Sequence, residues 1–289
     1  MKKRILSVLT ALTLAVGMIG CGGSEGFNSD EEISIITRED GSGTRGAFIE
    51  LFGIEKKNEA GEKIDHTTDA ASITNSTSVM MTTVESDLHA IGYVSLGSLN
   101  DTVKAVKIDG VEATVANIKN GAYTIYRPFN IAVKDGISDV AQDFINYILS
   151  TEGQKIVANS GYITVFENSA FTSNGASGKI TIAGSSSVSP VMQKLKEAYV
   201  AVNTNAEIEI LTSDSSTGMS NAIEGICDIG MASRAVKDSE KEKGLTEITI
   251  ANDGVAVIVN KDNPVESLTK SEVEQIYTGA VTTWSDIVE

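Results

Sequence analysis

The stretch KITIAGSSSVSP, residues 179–190, is the clearest single indicator of the fold in this sequence. Its apolar run from Lys179 to Ala183 predicts a short strand, and the small turn Gly184-Ser185-Ser186-Ser187 follows directly. Apolar residues then recur at helical spacing on one face: Val188, Val191, Met192, Leu195 and Tyr199. The stretch therefore predicts a strand, a hydroxyl-rich turn and a helix, the unit from which α/β proteins are built.

Two further turns repeat this plan. Asp40-Gly41-Ser42-Gly43-Thr44 lies between a predicted strand, Ile33 to Thr37, and a predicted helix, Gly43 to Phe52. Residues 213–218, SDSSTG, lie between a predicted strand at 208–211 and a predicted helix at 217–225. The free backbone N–H groups of a helix N-terminus and nearby hydroxyls can bind an anion. Serine and threonine also cap ordinary helices, so one such turn alone is weak evidence.

Short apolar strands and amphipathic helices alternate through the rest of the chain, which indicates an α/β protein with mixed sheets. Further helices are predicted at 76–86, 113–119, 138–158 and 270–277. Further strands are predicted at 91–94, 103–108, 123–133, 247–250 and 254–260. Residues 166–178, FENSAFTSNGASG, are polar and lack periodicity, so they are expected to form a linker.

Composition excludes several classes of protein. The chain has 289 residues, a formal net charge of −16 and 41% hydrophobic residues, which fits a globular protein and not a nucleic-acid binder. Two cysteines and two histidines without a CxxC pair argue against a metal site. No P-loop lysine and no Ser-His-Asp set is evident. We therefore expect neither an enzyme nor a cofactor, and Cys227 is expected to be a buried, inert thiol.

The N-terminus predicts export. Lys2, Lys3 and Arg4 precede an apolar run that is too short for a comfortable membrane span, so residues 1–20 are expected to be a signal peptide. The run ends in Met18-Ile19-Gly20-Cys21, which resembles the lipobox of bacterial lipoproteins. This resemblance implies a lipid on Cys21, at the outer face of the cytoplasmic membrane, followed by a flexible tether over 21–32. A signal peptide that merely happens to end at a cysteine is the alternative.

Arg38 strengthens the case for an anion site. It lies two residues before Asp40 at the mouth of the first turn, where a guanidinium can bind an oxyanion and Asp40 can hold it in place. The chain is acidic overall, but solution screens distant carboxylates over about 8 Å, so nearby donors can dominate. Three hydroxyl-rich helix starts and one arginine together predict an oxyanion site.

At these residues the chain resembles the phosphate-binding lipoproteins of bacterial phosphate ABC transporters. The matching stretches cover nearly all of the expected mature chain: 37–48 (TREDGSGTRGAF), 90–99, 179–190, 213–234, 252–265 and 276–287. The resemblance implies a two-lobed, periplasmic-binding-protein-like (type II) α/β fold that closes on one oxyanion in the interlobe cleft. It also implies a monomer that binds inorganic phosphate and delivers it to permease subunits.

The resemblance also implies site residues. Ligand contacts are expected at Arg38, Ser42, Gly43, Thr44, Ser186, Ser187 and Ser215. Asp40 is expected to orient Arg38. Some relatives have an aspartate at the position of Ser233 to accept the proton of phosphate, so Asp214 becomes the nearest candidate acceptor here. An acceptor decides between protonated phosphate and sulfate, which carries no proton.

The order of the matching stretches departs from the family pattern. Residues 33–165 resemble the family's second half and residues 179–289 its first, as in a circular permutation in which 166–178 joins the old termini. This implies a split lobe, 32–123 plus 261–289, and a contiguous lobe, 124–260. Part of a longer tandem protein or a faulty gene assembly would give the same order. Three alternative functions remain. The chain could bind another oxyanion such as sulfate or molybdate, or it could be a permuted or truncated relic that no longer transports. A phosphoester hydrolase is a more remote alternative.

Overall fold

The computed structural model describes residues 26–165 and 169–287. The expected signal peptide and Cys21 lie outside the described residues. The strands are β1 (Ser34–Arg38), β2 (Glu55–Lys57), β3 (Lys63–Asp65), β4 (Ser72–Thr74), β5 (Ala90–Ser95), β6 (Val103–Ala105), β7 (Lys107–Ile108), β8 (Tyr126–Val133), β9 (Gly178–Ser185), β10 (Ala206–Ser213), β11 (Ile229–Ala232), β12 (Thr246–Asn260) and β13 (Ser267–Leu268).

The α-helices are α1 (Gly43–Leu51), α2 (Thr77–Ser86), α3 (Val115–Lys119), α4 (Asp139–Leu149), α5 (Thr151–Asn159), α6 (Ser189–Val202), α7 (Ser215–Glu224), α8 (Asp238–Lys241) and α9 (Lys270–Thr278). Short 3₁₀ turns lie at Leu96–Ser98 and Trp284–Asp286. The predicted α/β class is confirmed. No described helix is long and apolar enough to cross a membrane.

Strand β12 joins the two halves of the molecule. The strand order is β10-β9-β11-β8-β12-β5-β1-β4, with β6 also paired to β12. The first part of β12 pairs antiparallel with β8, and its last part pairs antiparallel with β5 and β6. A strand of 15 residues is long enough to leave one lobe and enter the other.

Separate hydrophobic cores define the two lobes. The split-lobe core is built from residues of the ranges 33–125 and 255–284 together with Ile163, and the other lobe holds two clusters built from residues of the range 129–251. The chain therefore crosses between lobes just before β8 and within β12. The expected boundary at 123/124 lies close to the first crossing. The second crossing comes earlier than the expected 260/261, because Val255–Val259 pack in the split-lobe core.

Three sequence predictions of local structure need correction. The strand predicted at 103–108 is two strands, β6 and β7, which pair with β12 and β13 respectively. The helix predicted over 138–158 is two helices, because the Ser150 side chain caps α5 by accepting a hydrogen bond from the backbone N–H of Gly153. The strands predicted at 247–250 and 254–260 are one continuous strand, β12, with a register shift between Thr249 and Ala251. The polar residues Asn252 and Asp253 interrupt the apolar pattern at the crossing between the lobes.

The C-terminal part of the expected tether is packed against the split lobe. Phe27 stacks on His89 with 5.2 Å between ring centroids. The Asn28 backbone N–H donates to His89 Nε2 at 3.2 Å, and the Ser285 backbone N–H donates to the Ser29 carbonyl at 2.7 Å. Any flexible tether therefore ends before Phe27, and the expectation of a tether extending to residue 32 is wrong.

Buried Asp143 fixes the second half of the expected linker. Its carboxylate accepts from Ser173 Oγ at 2.8 Å and from the Asn174 backbone N–H at 3.1 Å. It also accepts from the Tyr199 hydroxyl at 2.9 Å, which ties the segment to α6. A segment without helical or strand periodicity can thus be ordered by one satisfied buried carboxylate.

Candidate functional site

Three strand-to-helix turns meet where the lobes face each other. Each turn follows a strand, β1, β9 or β10, and leads into the helix α1, α6 or α7. Ser42 and Asp214 cap α1 and α7 by accepting from backbone N–H groups three residues on. The turns touch directly, because the Ser216 backbone N–H donates to the Gly41 carbonyl at 3.1 Å. The structure therefore brings together the three turns that the sequence singled out.

Arg38 lies at the end of β1 and is only 2% exposed. Its Nε and Nη2 atoms donate to the two carboxylate oxygens of Glu39 at 2.8 and 2.7 Å. Its remaining donors reach Ser186 Oγ at 3.1 Å and Thr77 Oγ1 at 3.4 Å. A bidentate carboxylate on one edge thus fixes the guanidinium so that its other edge faces hydroxyl groups.

Asp40 does not orient Arg38, so that prediction is wrong. Its side chain is 94% exposed and pairs with Arg45 at 2.9 Å. Glu39 takes the expected role, since it follows the end of β1 directly and its carboxylate reaches back to the guanidinium. Arg45 also donates to the Arg38 carbonyl at 2.8 Å, so Asp40 supports the turn only indirectly.

Asp214 is committed to its helix cap. Its two carboxylate oxygens accept from the Thr217 backbone N–H at 2.9 Å and from the Thr217 hydroxyl at 2.5 Å. It also lies so close to Gly41 that a Cβ there would come within 2.2 Å of the carboxylate. Nothing in these contacts directs Asp214 at the buried hydroxyl groups, so its role as proton acceptor finds no support.

A buried cluster of hydroxyl groups spans the two lobes. From the split lobe, Thr44 Oγ1 lies 2.8 Å from Ser187 Oγ and 3.3 Å from Ser233 Oγ. Thr77 Oγ1 lies 3.3 Å from Ser186 Oγ and 3.2 Å from Ser187 Oγ. All five side chains are buried. The oxygens contact one another directly, so a ligand bound here would have to replace these hydroxyl–hydroxyl contacts.

Ser215 and Ser233 extend the cluster within the contiguous lobe. Ser215 Oγ accepts from the Ser233 backbone N–H at 3.1 Å, and the two hydroxyl oxygens are 3.4 Å apart. Ser185 donates to Ser233 Oγ at 3.1 Å. A Cβ on Gly43 would come 2.5 Å from Ser215 Oγ, so glycine is required for this contact between lobes. Of the predicted ligand residues, Ser42 stands apart as the cap of α1, since its Oγ accepts from the Arg45 backbone N–H.

A second guanidinium, which the sequence analysis missed, lies at the crossing strands. Arg127 of β8 is 4% exposed, and its Nη1 lies 2.7 Å from Oδ2 of fully buried Asp253 on β12. It also donates to Thr44 Oγ1 at 3.0 Å and to the Ser233 carbonyl at 3.2 Å. Burial raises the pKa of Asp253 to about 6 while Arg127 opposes the rise, so this carboxylate is ionised at neutral pH.

The sequence did carry signals for the residues that were missed. Arg127 and Asp253 are charged residues inside otherwise apolar strand segments, and a buried charge in a strand needs a partner. Thr77 follows the cap Ser76 at the start of α2, a fourth hydroxyl-rich helix start. Strand periodicity alone could not reveal which charges pair across β8 and β12.

The cluster is suited to holding an anion. Fixed guanidinium and amide donors reach the hydroxyls, which lie in a buried, low-dielectric setting where such contacts are strong. Within 26–165 and 169–287, no group of three or more metal-ligating side chains could hold a metal ion. Burial raises the pKa of Cys227 to about 11, so this thiol is protonated and is not a nucleophile at neutral pH.

Two lobes with separate cores, joined by crossing strands and enclosing a buried donor cluster, define a solute-binding protein of the periplasmic type. A family model described as a PBP superfamily domain matches residues 24–152 and 169–288. "Phosphate-binding protein PstS 2" of Streptococcus agalactiae is 54% identical over 289 residues, 99% of each chain. The chain belongs to the PBP superfamily and, within it, to the PstS family of phosphate-binding proteins.

A solved structure and a more distant relative add to this assignment. The crystal structure of a phosphate-binding protein of a Streptococcus pneumoniae phosphate ABC transporter matches with a TM-score of 0.70 and 43% identity. The match covers 89% of this chain and 100% of that one. "Phosphate-binding protein PstS" of Staphylococcus saprophyticus is 39% identical over 117 residues, 38% of this chain and 37% of the relative.

Proposed function

We propose that this protein captures inorganic phosphate between its lobes and delivers it to the permease of an ABC transporter. The observation that carries the proposal is the buried contact of Arg38, from the split lobe, with Ser186 of the contiguous lobe. A ligand held by both groups stabilises the closed arrangement, and closure is the signal a permease can recognise. The PstS relatives support phosphate as the ligand. On this proposal the chain catalyses no reaction.

The proposed ligand contacts are Arg38 and the hydroxyls of Thr44, Ser186, Ser187 and Ser215. Phosphate oxygens would replace the hydroxyl–hydroxyl contacts across the lobes by charge-assisted contacts. Such hydrogen bonds are about twice as strong as neutral ones. Ser42 and Gly43 contribute the start of α1, whose backbone N–H groups and positive dipole end favour an anion.

Ser233 is the proposed acceptor for the proton of phosphate. The nearby carboxylates are engaged elsewhere: Glu39 with Arg38, Asp253 with Arg127 and Asp214 with Thr217. Ser233 Oγ is central to the hydroxyl cluster, and a hydroxyl oxygen has two lone pairs. A neutral acceptor repels sulfate less than a carboxylate does, so selectivity against sulfate is expected to be modest.

We also propose that the mature protein is a monomer anchored outside the cell by a lipid on Cys21, with its two halves in circularly permuted order. The lipobox-like residues 18–21 support the anchor. The permuted order finds support in the ordered segment 169–178, where Ser173 and Asn174 are bound by Asp143. The match lengths also support this order, because a permuted chain aligns with a chain in the unpermuted order over only one half at a time. The Streptococcus agalactiae relative matches the whole chain, whereas the Staphylococcus saprophyticus relative matches only 117 residues.

Calorimetric titration of the purified protein, freed of bound anion, tests the proposal. Phosphate is expected to give one saturable binding event, and sulfate and molybdate are then added as competitors. If molybdate or sulfate bound more tightly than phosphate, the phosphate assignment would be overturned while an oxyanion site remained. If no anion gave heat in a cooperatively folded sample, the binding function itself would be refuted.

A further inference from the structure

The contacts of Arg127 repeat those of Arg38. Each guanidinium is backed by a carboxylate, Glu39 for Arg38 and Asp253 for Arg127. Each also donates to the buried hydroxyl cluster: Arg38 to Ser186 at 3.1 Å and to Thr77 at 3.4 Å, and Arg127 to Thr44 at 3.0 Å. The two arginines therefore approach the cluster from different elements with the same arrangement of carboxylate, guanidinium and hydroxyl.

Arg127 also contacts every part of the molecule that meets at the site. Its Nε donates to the carbonyl of Ser233 in the contiguous lobe, and its Nη1 donates to the carbonyl of Gly254 on the crossing strand β12. Its contact with Thr44 is made to the split lobe. These contacts hold the guanidinium in a single position, and burial of both Arg127 and Asp253 makes loss of either partner costly.

The direction of the Thr44 proton follows from these contacts. A threonine hydroxyl has one proton and two lone pairs, whereas a guanidinium only donates. Because Arg127 donates to Thr44 Oγ1, one lone pair is occupied and the Thr44 proton is free to point into the cluster. Thr44 then becomes a polarised donor, with a full positive charge one hydroxyl away.

We propose that Arg127 is a positioning residue of the anion site, which acts through Thr44 by fixing its hydroxyl as a donor to the bound oxyanion. Asp253 holds Arg127 in place for this role. The inference rests on the proposed phosphate-binding function and adds a second cationic group to it. It assigns Arg127 no direct contact with the anion.

A double-mutant cycle with phosphate as the probe tests this role. Affinity is measured for the wild-type protein, Arg127→Met, Thr44→Val and the double variant. Arg127→Met is expected to weaken phosphate binding about 10-fold in the wild-type background and less than about 3-fold when Thr44 is already valine. A purely structural role for Arg127 would instead give the same factor in both backgrounds, and that result would overturn the proposal.

Two further variants keep the test decisive. If Arg127→Met leaves Asp253 unpaired and the protein fails to fold, the cycle is run with Arg127→Lys, which keeps the charge but not the planar fork. Arg127→Lys is expected to fold and to bind phosphate more weakly than the wild-type protein does. Phosphate affinity equal to that of the wild-type protein would contradict the proposal. Arg234→Met is the control, because Arg234 pairs with Glu240 at 2.7 Å and should give equal factors in both backgrounds.

The two claims fail in distinguishable ways. If the wild-type protein does not bind phosphate, the proposed function fails. If the wild-type protein binds phosphate but Arg127 and Thr44 prove additive, only the role of Arg127 fails.

Discussion

Replacing Arg38 by methionine removes the cation that faces the hydroxyl cluster from the split lobe. The guanidinium directs donors at Ser186 Oγ (3.1 Å) and Thr77 Oγ1 (3.4 Å), so it can offer an anion two charge-assisted hydrogen bonds. At the lower end of about 1.5 kcal/mol each, their loss costs about 3 kcal/mol. We therefore expect phosphate affinity to fall by about 100-fold. Glu39, left without its partner, adds repulsion to this loss.

Titration calorimetry and thermal unfolding measure the two consequences separately. The Arg38→Met/Glu39→Gln variant removes the unpaired carboxylate, and it should recover part of the stability but little of the affinity. Arg234→Met is a matched control, since it deletes another, partly buried guanidinium–carboxylate pair that does not contact the hydroxyl cluster. The reasoning is refuted if Arg38→Met folds normally and binds phosphate within about threefold of the wild-type protein.

Two other predictions follow from single residues. Gly43→Ala places a methyl group 2.5 Å from Ser215 Oγ, so phosphate affinity measured by calorimetry should fall at least about 10-fold. Gly46→Ala in the same helix is the control: its methyl group meets nothing within 4 Å, so it should leave affinity unchanged and stabilise the fold by about 0.5–1 kcal/mol. Equal affinities for the two variants would count against closure at the contact between Gly43 and Ser215. Burial alone would raise the pKa of Glu240, but Arg234 and the Lys237 backbone N–H outweigh it and hold that pKa below the ordinary 4.5. Glu240 therefore stabilises the fold above pH 4.5, and this contribution is lost as pH falls through the lowered pKa. Urea unfolding should show that the difference in the free energy of unfolding between the wild-type protein and Glu240→Gln becomes smaller in acid. A difference that does not depend on pH would contradict this prediction.

Local patterns predicted the elements of this fold well. The helical spacing of Val188, Val191 and Leu195 correctly gave the buried face of α6, because one face of that helix packs in the core. The 138–158 helix was predicted as one element because its apolar periodicity continues across Ser150. Only the geometry shows that Ser150 turns inward to cap α5.

The site was predictable in its parts but not in its connections. Three turns containing Gly43, Ser186 and Ser215 were correctly expected to meet, because hydroxyl-rich helix starts after strands recur in both halves. The carboxylate that pairs with Arg38 was not predictable from spacing, since Glu39 and Asp40 both lie within two residues of Arg38 and their side-chain directions depend on how the strand ends. Arg127 was missed because its partner Asp253 is distant in the sequence.

The central claim is that one phosphate is held by both lobes at the Arg38 cluster. A crystal structure of the protein with phosphate tests this most directly. We expect phosphate oxygens within about 2.7–3.2 Å of the Arg38 guanidinium and Thr44 from the split lobe, and of Ser186 and Ser187 from the contiguous lobe. Phosphate bound outside this cluster, or contacting only one lobe, would contradict the account.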